Sequence, residues 1–405
     1  MTFEIPESWC WCKLSDVCNF ESGYAFSSDD YKDKGTPLVR ISNIQDGLVS
    51  LDNCVYIEGD IDKRFIINNG DLLIAMSGAT TGKMGVYQYD CPALLNQRVG
   101  NIKVNTSLLL QKYRDYFMQS QGDLILKLSY GGAQPNVSAK IISDLFIPIP
   151  SLNEQEKIVV EIEKWFGFID EIENGKIELE SHIKKTKSKI LNLAISGKLV
   201  PQDPNDEPAI ELLKRINPDF EPCDNSHYEN LPENWCIAKV KDVFVINPRN
   251  KAEDNTIAGF IPMTLIDDGY SNTFSYEKRK WGSIKTGFTH FADGDVAVAK
   301  ISPCLENRKS IVLRDLPNAI GAGTTELHVF RSSVVVPEYA LYFFKSEYFI
   351  RKCVGTFNGV VGQQRVGKNI IEEIQIPIPP INEQTKIVST IETIFTQLNT
   401  ITAEL

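Results

Sequence analysis

The chain is written twice, and that duplication limits its possible folds more than any other feature. Ile5-Pro6-Glu7-Ser8-Trp9-Cys10, followed by Lys13-Leu14-Ser15-Asp16-Val17, returns as Leu231-Pro232-Glu233-Asn234-Trp235-Cys236 followed by Lys239-Val240-Lys241-Asp242-Val243. Gly70-Asp71-Leu72-Leu73-Ile74-Ala75 returns as Gly294-Asp295-Val296-Ala297-Val298-Ala299. Ile147-Pro148-Ile149-Pro150-Ser151-Leu152-Asn153-Glu154-Gln155 returns as Ile376-Pro377-Ile378-Pro379-Pro380-Ile381-Asn382-Glu383-Gln384. A spacing of roughly 225–230 residues is far too long for stacked solenoid repeats. It indicates a duplicated domain with a pseudo-two-fold relation, in the order globular unit, helix, globular unit, helix. The expected boundaries are a first unit at 1–150, a helix at 151–200, a linker at 201–228, a second unit at 229–380 and a closing helix at 381–405.

Each globular unit reads as mixed α/β of the α+β kind. Short runs rich in Val, Ile and Leu, bounded by Gly, Asn and Asp, point to strands at 71–76 and 296–301. Short helices are expected at 109–119 and 338–346.

The helical segments carry a different period. Alternate steps of four and three from Ile158 give Ile162, Trp165, Ile169, Ile172, Lys176, Leu179, Ile183, Thr186, Ile190 and Leu193. Only Lys176 and Thr186 interrupt the apolar stripe, which is the heptad seam of a coiled coil. A shift of 229 residues gives Ile387, Ile391, Ile394, Leu398, Ile401 and Leu405. The two seams are expected to pair antiparallel. Asn153 with Glu156 suggests a capping box at the start, Gly175 a weak point, and Gly197 with Pro201 the end.

Charge narrows the function. The net charge is −11. It divides as −4 over residues 1–150, −6 over 151–224, +1 over 225–380 and −2 over 381–405. No segment is strongly basic, whereas DNA affinity comes largely from phosphate neutralisation. A nucleic-acid role would need a partner that supplies positive charge. Nine scattered cysteines fit reduced thiols better than a disulfide frame. No apolar run approaches the roughly 20 residues of a membrane span, and the first residues carry neither a basic leader nor an apolar stretch, so a cytoplasmic protein is expected.

Catalytic signatures are missing. Gly78-Ala79-Thr80-Thr81-Gly82-Lys83-Met84 places three residues between its glycines, not the four of a nucleotide-binding loop, and Met follows the lysine. The second unit has Ser302-Pro303-Cys304-Leu305-Glu306-Asn307 in its place. Neither H-E-x-x-H nor G-x-S-x-G occurs, and Asn247-Pro248-Arg249-Asn250 does not match the tetrapeptide of amino-methyltransferases. His182, His227, His290 and His328 lack metal-ligand spacing. The expectation is a non-catalytic chain with no metal or cofactor of its own.

In combination these motifs resemble the specificity subunits of type I restriction–modification systems over nearly the whole chain. The residues that carry the resemblance are Ile5-Pro6-Glu7-Ser8-Trp9, the Gly70-Asp71 strand with Gly78–Lys83, and Asn96-Gln97-Arg98. Gln134-Pro135-Asn136-Val137-Ser138, Pro148–Gln155 and Ser196-Gly197-Lys198-Leu199-Val200-Pro201-Gln202-Asp203-Pro204-Asn205-Asp206-Glu207-Pro208 complete the set. The resemblance implies that each globular unit reads one half of a split double-stranded DNA site. It implies that the helices set the spacer and dock two methyltransferase subunits. Those partners would use S-adenosylmethionine to methylate adenine, and restriction subunits would cleave with ATP and Mg. At 1.5 Å per residue, residues 153–193 would span about 60 Å, against about 34 Å for one turn of B-DNA. The chain departs from the family in two ways: the second helix has no counterpart here of residues 190–208, and the second unit lacks the Gly-rich loop.

Bases are read by Arg or Lys at guanine, Asn or Gln at adenine and acidic groups at cytosine; hydroxyls, lysines and backbone amides hold phosphates. The expected DNA contacts in the first unit are Ser77, Thr80, Thr81, Lys83, Arg98, Gln134 and Asn136. In the second they are Lys300, Arg308, Lys309, Thr324, Thr325, Gln363, Gln364 and Arg365. Two alternatives stand beside this reading: a recognition subunit of a related enzyme with a bipartite site, and a coiled-coil scaffold with two protein-binding heads.

Overall fold

The computed structural model describes residues 4–45, 47–59, 62–130, 135–224, 231–356 and 364–404. Gln134, Gln363 and Leu405 therefore lie outside the described residues. The chain divides into two compact units, Met1–Ile172 and Glu173–Leu405.

Each unit repeats the same topology. In the first, Cys10–Lys13 pairs antiparallel with Phe146–Ile149. A six-stranded sheet runs Cys18–Ser22, Val99–Val104, Leu72–Ala75, Met84–Val86, Gly47–Val49, Ile44–Gln45. A four-stranded sheet runs Val55–Ile57, Thr36–Val39, Ala93–Leu95, Ile66–Ile67. In the second unit, Cys236–Lys239 pairs with Gln375–Ile378. One sheet runs Val245–Ile246, Leu327–Arg331, Val296–Ala299, Ser310–Val312, and another runs Glu277–Lys280, Ile257–Ile261, Ile320–Gly323, Thr289–Ala292. Among the described residues strand follows strand in the same spatial order, and the first unit adds two short edge strands. The expected mixed α/β architecture is what forms, with helices Gln111–Ser120 and Pro337–Phe344 close to the places expected for them.

The central strands explain the repeated apolar run. Leu72–Ala75 and Val296–Ala299 are buried throughout. Side chains alternate across a strand, so Leu72 and Ile74 enter one core while Leu73 and Ala75 enter another. Val296 and Val298 are divided from Ala297 and Ala299 in the same way.

The Gly-Asp pair before each strand is a turn. Gly70 and Gly294 both have φ of +86°, where a side chain is strained. The Asp71 carboxylate accepts from the Asn68 amide (3.0 Å) and the Asn101 side chain (2.8 Å). Asp295 accepts from the Ala292 amide (2.7 Å) and from two nitrogens of Arg331. The repeated Lys-x-x-Asp is also structural. Asp16 and Asp242 cap the Lys13 and Lys239 amides, and the lysine ammonium groups reach Asp144 and Glu373.

The connector helices are Leu152–Ile195 and Ile381–Ala403. The first runs unbroken through Gly175, contrary to the expected weak point. Its cap is Ser151, whose hydroxyl accepts from the Glu154 amide (3.3 Å). The expected capping box at Asn153 does not form, because the helix starts at Leu152 and Asn153 is already inside it. The helix stops as expected at Gly197, with φ of +68° and the Lys198 amide donating to the Leu193 carbonyl (2.9 Å).

The seam forms in part. Ile183, Ile190, Ile387 and Ile391 are buried, and Leu179, Leu193, Ile394 and Leu398 are half-buried. The two helices run antiparallel within the second unit. Lys187 bonds to Asn399, while Asn382 at the start of the second helix bonds to Asp206, beyond the end of the first. Trp165, Ile169, Ile172 and Ile401 are exposed, which corrects their expected place in a continuous interface. With Lys187 opposite Asn399, the second helix lies beside only the last part of the first. Ile158 packs against the first unit's sheet core, and Ile162 is half-buried.

A buried glutamine ties each helix to its own unit. Gln155 is fully buried; its Oε1 accepts from the Leu110 amide (2.9 Å), and its Nε2 donates to the Leu108 (2.9 Å) and Pro150 (3.0 Å) carbonyls. Gln384, also fully buried, repeats the pattern with Val336, Val334 and Pro379. Tyr113 and Tyr339 reinforce the two clamps, each donating at 2.8 Å to Pro148 and Pro377 respectively.

Unsatisfied buried polar groups cost about 1–3 kcal/mol each. Gln155→Ala and Gln384→Ala are each expected to lose about 2–4 kcal/mol in urea denaturation, and Tyr113→Phe or Tyr339→Phe about 1 kcal/mol. A Gln→Ala change without effect on stability would remove the clamp from this account.

Candidate nucleic-acid interface

In each unit three loops meet at the C-terminal end of the central strand, joined by equivalent backbone bonds. In the first unit the Met76 amide donates to the Arg98 carbonyl (2.9 Å), the Val137 amide donates to Met76 (2.8 Å), and Ser77 bridges Asn136. In the second the Lys300 amide donates to the Glu326 carbonyl (2.9 Å), the Val366 amide donates to Lys300 (2.9 Å), and Ile301 bridges Arg365. The amides of Asn96 and Thr324 donate to the ends of the parallel neighbours, Val39 and Ile261. Positions 96–98 thus correspond to 324–326, and Asn136 corresponds to Arg365.

The expected contacts take different places within these clusters. Arg98, Lys83, Asn136 and Thr325 are exposed, and Ser77, Lys300, Thr324 and Gln364 are half-buried. The Thr324 hydroxyl accepts from the Glu326 amide (3.2 Å). Arg365 is exposed and forms a two-bond ion pair with Glu326. Thr80 keeps its hydroxyl buried and without a partner among the described residues.

Three residues turn inward instead. Thr81 is 6% exposed, and its single hydroxyl proton is shared between the carbonyls of Gly78 (2.7 Å) and Pro135 (3.0 Å), holding two loops together. Lys309 donates to the Ile266 carbonyl (2.7 Å). Its equivalent, Lys83, remains exposed; the carbonyls of both accept from the strand end, at Ala75 and Ala299. Arg308, with φ of +59°, donates to the Lys345 carbonyl (3.0 Å) and to Glu347 (2.9 Å) and lies 5.1 Å from the Tyr270 ring centre. Lys345 is fully buried, and its ammonium donates at 2.8 Å to Gly269 and to Arg308. Burial pushes its pKa down to about 7. Arg308, Lys309 and Lys345 therefore brace the loop that the first unit builds from glycines.

Glu326 carries no signal in the sequence, because its importance depends on standing where the first unit has Arg98. Tyr24 likewise carries no signal in the sequence. It is exposed, its backbone bridges Asn96, and its ring packs on Phe26 and Phe65. Beneath the second cluster lies His328, which is buried. Its Nδ1 faces the Asn247 amide nitrogen (3.2 Å) and its Nε2 faces the Val366 carbonyl (3.3 Å). Asn247 uses its oxygen to accept from the Val329 amide (3.0 Å), so the ring is neutral with its proton on Nε2. Burial, opposed by the Val366 bond and aided by Lys300 and Lys368, pushes its pKa down to about 4.

All nine cysteines are free thiols. No helix among the described residues is long and apolar enough to cross a membrane. Among the described residues no group of three or more His, Cys, Asp or Glu is placed to hold a metal ion.

The family model described as the type I restriction modification DNA specificity domain matches twice, at residues 6–181 and 232–405. The EcoEI specificity subunit of Escherichia coli is 41% identical over 236 residues, covering 54% of this chain and 40% of that protein. The EcoAI specificity subunit of the same species is 42% identical over 234 residues, covering 53% and 40%. The chain thus spans less than half the length of these relatives. The EcoBI subunit, at 21% identity, covers 98% of this chain and 81% of its own. Among solved structures, a chain from a study of complex assembly and conformational transition in the type I system superposes with a TM-score of 0.64 at 15% identity, covering 100% of this chain and 94% of its own. The HsdS subunit of Thermoanaerobacter tengcongensis gives 0.59 at 16%, covering 99% and 93%. These two likenesses establish the fold.

His328 makes a pH prediction. Between pH 6.5 and 4 the unfolded chain binds a proton that the folded chain excludes, so stability falls as pH falls through that window. The second unit of the wild type is expected to lose more denaturant resistance from pH 7 to pH 4.5 than that of His328→Asn. Equal losses would assign the acid sensitivity elsewhere.

Proposed function

The chain belongs to the type I restriction–modification DNA specificity family, and from that premise we propose that it selects the DNA sequence on which partner subunits act. The first unit, 1–150, reads one half of a bipartite site and the second, 229–380, reads the other. Segments 151–200 and 381–405 set the spacer, and 201–228 links the halves. Two methyltransferase subunits dock on the helices and use S-adenosylmethionine to methylate adenine. Restriction subunits join them and cleave with ATP and Mg. The chain performs its role inside the cell, in the cytoplasm, and does no chemistry itself.

One observation carries this reading. The two units build the same three-loop cluster with the same backbone bonds, yet carry different polar side chains at equivalent positions. A shared scaffold with divergent side chains fits two readers of two different half-sites. Phosphate contacts position a protein while base edges specify the sequence, and both kinds of group are present: Lys83 and Ser77 beside Arg98 and Asn136. The net charge of −11 supports partners that close around the duplex and supply much of the positive charge.

The helices support the docking role. The first connector is 44 residues long, about 66 Å at the usual rise. Val160, Trp165, Phe168, Ile169 and Ile172 on it are each 44–66% exposed. So much exposed apolar surface on one element fits a protein interface.

The test is co-expression with the neighbouring methyltransferase gene in a host free of adenine methylation, followed by genome-wide mapping of methylated adenine. The expected result is methylation at one split motif that disappears when this chain is omitted. Methylation that persists unchanged without the chain, or a soluble complex with no methylation, would reject the reading. The helix offers a second test. Ile183 is buried, so Ile183→Asp is expected to lower the stability of the second unit by more than 3 kcal/mol. Ile169→Asp is expected to leave stability within about 0.5 kcal/mol and to weaken methyltransferase capture at least tenfold. Unchanged capture by Ile169→Asp in size-exclusion chromatography would move the docking site off this face.

A further inference from the structure

The equivalence of the two clusters exposes a difference in charge. Where the first unit has Arg98 and Asn136, the second has Glu326 and Arg365. Among the described residues the Arg98 side chain takes part in no hydrogen bond or ion pair. Arg365 is engaged: its Nε and Nη2 each donate at 2.8 Å to the two oxygens of Glu326. The Arg365 side chain is 45% exposed and that of Glu326 25%.

We propose that Glu326 is a positioning residue that fixes the Arg365 guanidinium for reading a guanine in the half-site of the second unit. This rests on the reading of the chain as a DNA specificity subunit.

Base reading fits this pair better than phosphate binding for two reasons. First, a bidentate contact to guanine O6 and N7 requires a planar fork at a fixed angle. A long arginine side chain normally loses rotamer freedom on adopting one geometry. Here two hydrogen bonds hold it before DNA arrives. Secondly, the pair has no net charge. Phosphate affinity follows net neutralisation, and a carboxylate beside the guanidinium offsets part of the attraction the arginine exerts on a phosphate. Arg98, with no carboxylate bound to it among the described residues, keeps its full charge. The ion pair also holds the Glu326 carboxyl below its usual range, so it stays ionised near neutral pH.

The neighbours fix the carboxylate in turn. The Glu326 amide donates to the Thr324 hydroxyl (3.2 Å), and the Glu326 carbonyl accepts from the Lys300 amide (2.9 Å). The carboxylate and the guanidinium therefore come from two loops that share Lys300 as a backbone partner. The consequence is that the two halves of the site are read by different chemistry at equivalent places.

The experiment uses the full chain co-expressed with its methyltransferase. Methylated motifs are mapped for the wild type, Arg365→Ala, Glu326→Gln and Glu326→Asp, and the binding of each complex to a random-sequence duplex is measured at two salt concentrations. Arg365→Ala and Glu326→Gln are expected to reduce the preference for guanine at one position of one half-site by about tenfold. The other half stays intact, and Glu326→Asp recovers part of the loss. Removing the carboxylate adds one positive charge, so Glu326→Gln should bind random DNA at least as tightly as the wild type, with a steeper salt dependence. A purely repulsive Glu326 would raise affinity with an unchanged motif, and a purely structural one would weaken both halves and random binding together. Either outcome would overturn the inference. A wild-type complex that methylates no split motif would overturn the functional reading itself.

Discussion

Two buried glutamines hold this architecture together. Gln155 and Gln384 each use one oxygen and one nitrogen to join three backbone groups. Those groups come from the segment before a short helix of the globular unit and from the Pro-rich segment before the connector helix. No aliphatic residue of the same volume could satisfy both a donor and two acceptors there. Fixing these three points sets the direction in which each connector leaves its unit. The tyrosine bonds from Tyr113 and Tyr339 to the same Pro-rich strands add a second point of attachment.

The same separation of scaffold from surface governs the candidate interface. Backbone bonds repeat between units almost one for one, so the sheets fix where the loops begin and end. Side chains at the loop tips can then differ without disturbing the core. Replacing the glycines of the first unit's loop requires compensation, which the second unit supplies through Arg308, Lys309 and buried Lys345. The divergence at 98 and 326, and at 136 and 365, is where the proposed function places sequence selectivity.

Much of the fold was legible because each repeated motif has one local physical cause. Gly-Asp marks a positive-φ turn, Lys-x-x-Asp a cap, and Gly197 a helix end. The apolar runs at 72–75 and 296–299 mark central strands. Less legible was anything that depends on which partner lies opposite. The heptad stripe continues through Trp165, Ile169 and Ile172, but periodicity does not say how far a partner helix extends. The Ser151 cap displaced Asn153 by a shift of two residues. At the site, Thr81, Arg308 and Lys309 had suitable chemistry for DNA, yet their donors are turned to carbonyls and carboxylates of their own unit. Residue type does not reveal direction. Glu326 became visible only when the backbone bonds aligned the two clusters.

The central claim is that both units meet DNA through the three-loop clusters at the ends of their central strands. Hydrogen–deuterium exchange on the complex with its methyltransferase, with and without a duplex carrying the methylated motif, tests this most directly. The account predicts new protection in 76–83, 96–98 and 135–138 and in 300–302, 324–326 and 364–366. The turns at 68–71 and 292–295, at the opposite ends of the same strands, should not change. Protection of those turns, with the clusters unaffected, would contradict the account.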